Sequence, residues 1–138
     1  MKKFFVALMA VLVLVSCGDG KKSQAAMTEA DVMMATVDIM NTAAERIEKA
    51  TTTDELIDAM AAMAKEVKEV EERAGETIEA VENMDQNVLL EKYPEQAEAV
   101  QAAGIRYTEA VMGKMGLMET LTPEQEARMM KIFEDLEL

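Results

Sequence analysis

From Thr28 onward, apolar residues return at alternating steps of three and four, the repeat that lines one face of an α-helix. The first run is Ala30, Met33, Val37, Met40, Ala44 and Ile47. Thr28 stands where an N-cap is needed, and Glu29 and Asp31 set negative charge beside the positive helix end. Thr51, Thr52 and Thr53 stop the run, because β-branched hydroxyl residues suit caps better than helix interiors. Thr52 followed three residues later by Glu55 is a capping-box pattern, so a second helix is predicted to start at Thr53 or Asp54. Its seam is Leu56, Met60, Met63, Val67, Val70, Ala74, Thr77, Val81, Met84 and Val88, which keeps a heptad spacing and predicts one helix from Asp54 to Met84. At 1.5 Å per residue that helix is about 46 Å long. Lys65 with Glu69, Lys68 with Glu72 and Glu69 with Arg73 lie one turn apart, pairs worth about 0.2–0.5 kcal/mol each in an isolated helix.

Asp85-Gln86-Asn87 breaks the pattern, and Val88-Leu89-Leu90 predicts a short apolar turn. Pro94 suits the first turn of a third helix, whose face carries Ala97, Val100, Gly104, Tyr107 and Val111 before slipping to Met115 and Met118. A mid-helix glycine costs about 1 kcal/mol, so Gly104 at a core spacing predicts close approach of a neighbouring helix. Gly113 and Gly116 weaken the helix end, and Thr122-Pro123-Glu124-Gln125 caps a fourth helix with Met129, Phe133 and Leu136 along its seam. No strand alternation competes. The expectation is an all-α fold: an antiparallel bundle of three to four helices over residues 28–138, with the second helix packed against the first and third.

The chain opens differently. Lys2 and Lys3 precede an apolar run of 12 residues, Phe4 to Val15, too short for a membrane span of roughly 20 residues and suited to a signal-peptide core. Leu14-Val15-Ser16-Cys17 follows, and Cys17 is the single cysteine, with no disulfide partner in the chain. This stretch resembles the lipobox of bacterial lipoproteins. The resemblance implies a cleaved signal peptide at 1–16, a diacylglycerol and an N-acyl chain on Cys17, and a flexible tether through residue 27. The rest is similar to small helical envelope lipoproteins. With Gly18 rather than aspartate after the cysteine, and no acidic cluster in Gly18-Asp19-Gly20-Lys21-Lys22, the family pattern implies the cell envelope, at the outer membrane and facing the periplasm.

Charge narrows the partners. There are 14 basic against 27 acidic residues, a net charge of -13, which repels phosphate backbones and anionic headgroups. Nucleic acid is therefore not an expected partner, and the membrane is reached through the lipid alone. Histidine is absent, and serine occurs only at Ser16 and Ser23, so the usual general base, zinc ligand and serine nucleophile are missing. Neither an enzymatic activity nor a cofactor beyond the lipid is expected.

Two surface features remain. Glu72, Glu76, Glu79 and Glu82 follow one side of the predicted second helix with no basic residue between Arg73 and Lys92, which makes them candidates for binding a partner. Of 14 methionines, Met33, Met40, Met60, Met63 and Met84 sit at seam positions. Met112, Met115 and Met118, with Met129 and Met130 across a short loop, are the candidate soft ligands for cuprous ion. The expected role is a non-catalytic binding or adaptor module acting on another envelope protein. A cuprous-ion protein and a coiled-coil homo-oligomer are the alternatives.

Overall fold

A computed structural model describes residues 27–136. Among them are six α-helices, one 3₁₀ turn and no strand. They are α1 (Glu29–Lys49), α2 (Thr53–Ala74), α3 (Glu76–Glu82), α4 (Gln86–Lys92), α5 (Pro94–Gly113), the 3₁₀ turn Met115–Met118 and α6 (Pro123–Asp135). The chain is all-α as expected, but with more helices than three or four. Cys17, the signal peptide and the tether lie outside the described residues, apart from Met27 at the tether's end.

The long helices begin at chemically defined caps. Thr28 with Asp31, Thr52 with Glu55 and Thr122 with Gln125 each form a full capping box, in which side chain and backbone exchange hydrogen bonds. Pro94 and Pro123 occupy first turns, where a missing N–H costs nothing.

The predicted second helix is not continuous. It breaks at Gly75, which adopts φ 51° and ψ -127°, a conformation closed to most side chains. Val88-Leu89-Leu90 lies within a two-turn helix, α4, capped by the Asp85 carboxylate on the Asn87 N–H. Only Leu89 of the three is buried, and Val88, assigned to the seam by its spacing, is exposed.

The packing order also departs from expectation, because α1 is the central helix, packed against both α2 and α5. Its sequence carries two stripes: Met33, Val37, Met40, Ala44 and Ile47, and beside them Val32, Thr36, Ile39 and Ala43. A helix with one apolar stripe covers one neighbour, whereas a face this wide covers two. Against it α5 sets Val100, Ala103, Gly104, Tyr107 and Ala110, all buried, so Gly104 does lie on the core face of its helix. Burial among these groups raises the pKa of Tyr107. The Thr36 hydroxyl, buried in the same face, donates to the Val32 carbonyl at 2.9 Å.

Ion pairs fix the directions. Arg46 meets Glu66 at 2.7 Å across an antiparallel α1/α2 pair, and Lys65 reaches Glu69 at 3.8 Å along α2. Lys92 meets Glu29 at 2.9 Å at one end of α1, while Lys114 donates to the Ala50 carbonyl at 2.7 Å at the other, so α1 and α5 run parallel. Arg128 pairs with Asp54 and Asp58, and Lys68 with Asp135 rather than with Glu72, so α6 runs parallel to α2. The sequence of neighbours is α6, α2, α1, α5. Two of these three contacts join parallel helices, because the α3–α4 connection and the 3₁₀ turn cross over before the next long helix starts.

Candidate functional site

The break at Gly75 divides the acidic ridge. Glu72 remains on α2 and is exposed, Glu76 and Glu79 are exposed on α3, and Glu82 is partly buried. The four do not form one solvated stripe along a continuous helix, as their spacing predicted. Burial raises the pKa of Glu82, and the Glu79 carboxylate adds to the effect; Glu82 Oε1 is buried without a hydrogen-bond partner. None of the four carboxylates forms an ion pair with a described residue.

Several cations elsewhere are committed to the fold. Besides the pairs above, Arg106 meets Glu48 at 3.2 Å, and Lys49 meets Glu45. Glu72, Glu76 and Glu79 stand exposed on either side of the Gly75 break, where α2 ends and α3 begins.

An open depression of about 470 Å³ lies beside this charge. Met27, Thr28 and Glu29 from the start of α1, Glu76, Thr77 and Ala80 from α3, and Lys92 and Tyr93 from the α4/α5 junction line it. Glu29 Oε2 accepts from the Tyr93 hydroxyl at 2.6 Å and from Lys92 Nζ at 2.9 Å. Lys92 Nζ also lies 5.1 Å from the Tyr93 ring centroid, within cation–π range. The hydroxyl first, then the ammonium, hold the Glu29 pKa below the ordinary value, and the same contact with Glu29 raises that of Lys92. Sequence reasoning missed this cluster. Glu29 was legible only as a first-turn acid, and nothing local reports a contact with residues 63 and 64 positions away.

The candidate copper ligands do not share one environment. Met129 is buried in the core and Met118 packs against it, whereas Met112, Met115 and Met130 are exposed. The 3₁₀ turn that carries Met115 and Met118 also lies against the start of α2, where the Leu117 carbonyl accepts from the Thr53 hydroxyl at 2.7 Å. Among the described residues no three His, Cys, Asp or Glu side chains are grouped to hold a metal ion, and no helix is long and apolar enough to cross a membrane. Compared with known proteins, the chain matches no family model, no curated protein and no solved structure.

Proposed function

We propose that the protein is a lipid-anchored, periplasm-facing module of the bacterial cell envelope that acts by binding, without catalysis of its own. Acyl chains on Cys17 hold it at the outer membrane, and exposed carboxylates at the α2–α3 junction receive a basic segment of another envelope protein. The observation that carries this reading is the placing of charge: Glu72, Glu76 and Glu79 are exposed and have no ion-pair partner among described residues, while Arg46, Lys68, Lys92, Arg106 and Arg128 are spent between helices. A basic partner would relieve repulsion that the fold itself leaves in place.

In-cell crosslinking with mass spectrometry tests anchor and partner together. The native chain is expected to capture one envelope protein, Cys17→Ala to lose both membrane fractionation and that capture, and Glu72→Gln/Glu76→Gln/Glu79→Gln to lose the capture alone. Crosslinks confined to copies of the same chain would replace this reading with the oligomer. Membrane fractionation unaltered by Cys17→Ala would remove the anchor.

A further inference from the structure

We propose that α3 is a hinged wall, moving about Gly75 independently of the long helices and so opening and closing the depression it shares with Glu29, Lys92 and Tyr93.

The pivot is built for rotation. Gly75 holds φ 51° and ψ -127°, and nothing lies within 4 Å of the position a Cβ would take. Glycine is thus required by the backbone and not by packing, and the joint is spanned by backbone hydrogen bonds, Gly75 N–H to the Glu71 carbonyl at 2.9 Å and Ile78 N–H to the Gly75 carbonyl at 3.2 Å. The element beyond it is held weakly. It has seven residues and none of them is buried, whereas helices that short need tertiary contacts to persist. Gly75 supplies no side-chain cap, and the last turn carries no basic residue. Glu76, Glu79 and Glu82 stand one turn apart with like charge, and Glu82 lies at the negative end of the helix dipole. Thr77, Ile78, Val81 and Glu82 are only partly buried, Val81 against the core, and provide what contact there is.

The opposite wall is fixed. Tyr93 and Lys92 converge on one oxygen of Glu29, which ties the start of α5 to the start of α1. Leu89 anchors α4 in the core. With one side clamped and the other hinged, displacement of α3 changes the depression and leaves the α6, α2, α1, α5 packing intact. This inference concerns motion of the unliganded protein and stands apart from the partner proposed above.

Native-state amide exchange on the full chain tests it. In α3 the amides of Ile78 to Glu82 are expected to exchange at least about tenfold faster than buried amides of α1 and α5, and with little dependence on low urea, the mark of local opening. Gly75→Ala strains the closed backbone and is expected to speed α3 exchange by about tenfold while leaving α1 and α5 unchanged. Glu79→Lys, which places a cation one turn from both Glu76 and Glu82, is expected to slow α3 exchange. Three outcomes each overturn the hinge: α3 amides sharing the rate and urea slope of α1 in the native chain, Gly75→Ala accelerating all helices equally, or Gly75→Ala leaving α3 unaffected.

Discussion

Glu82 and Glu29 are carboxylates pushed in opposite directions by their surroundings, and each carries a pH prediction of its own sign. Burial, then the charge of Glu79, raises the Glu82 pKa. The folded protein therefore binds this proton more tightly than the unfolded chain does. The resulting stabilisation is complete below the unfolded-state pKa and is lost as pH rises through the folded one. Glu82→Gln is expected to melt higher than the native chain at pH 7, the gap closing as the pH is lowered towards the acid range; equal melting curves at pH 7 would contradict it. Glu29 behaves in reverse, because the Tyr93 hydroxyl and Lys92 depress its pKa. Its contribution is present above the unfolded value and lost as pH falls through the folded one. Tyr93→Phe should lower the melting temperature at pH 7, an effect that fades in acid; a pH-independent loss would assign the change to ring packing instead. Neither environment was legible in the sequence. Glu82 read as one more ridge acid, since its half-burial follows from a turn at Gly75 seven residues earlier.

Helices announce themselves through local chemistry more reliably than they announce their neighbours. The capping threonines Thr28, Thr52 and Thr122 were readable because each bond spans three residues and depends on nothing distant. Gly75 was obscured by the surrounding pattern: Ala74, Thr77 and Val81 keep the seam spacing on either side, so the heptad reads through a residue whose backbone turns away. The second stripe of α1, Val32, Thr36, Ile39 and Ala43, was present in the sequence as a parallel set of steps, and it is what makes α1 the central helix. In α2, Ile57 and Ala64 likewise extend the buried face beyond Leu56, Met63 and Val67. Ile57 is fully buried and Val67 is 2 % exposed. Val67→Asp is therefore expected to destabilise the fold by about 3 kcal/mol or more, since an aspartate there has neither water nor a cation. Chemical denaturation measures it, and an unchanged midpoint would show that this face of α2 is not in the core.

Across the whole molecule, the proposed recognition of a basic partner would pull against stability. With a net charge of -13, described cations such as Arg46, Lys68, Lys92, Arg106 and Arg128 close contacts between helices, whereas Glu72, Glu76 and Glu79 are exposed and in no ion pair with a described residue. The overall acidity was legible from composition, but which carboxylates stay free was not, since that depends on where each cation folds to. Carboxylates kept for a basic partner must cost stability while the partner is absent, through repulsion that salt screens with a Debye length of about 10 Å at 0.1 M. Glu72→Gln/Glu76→Gln/Glu79→Gln should then melt higher than the native chain at low ionic strength, by roughly 2 °C from a few tenths of a kcal/mol per pair. The difference should vanish near 1 M salt, where the Debye length falls to about 3 Å. The same variant is the one expected to lose its partner, so gain of stability and loss of capture must appear together. A variant that loses capture but melts no higher at low salt would mean that these carboxylates recognise the partner without being strained in its absence, and the electrostatic argument for a basic partner would fall.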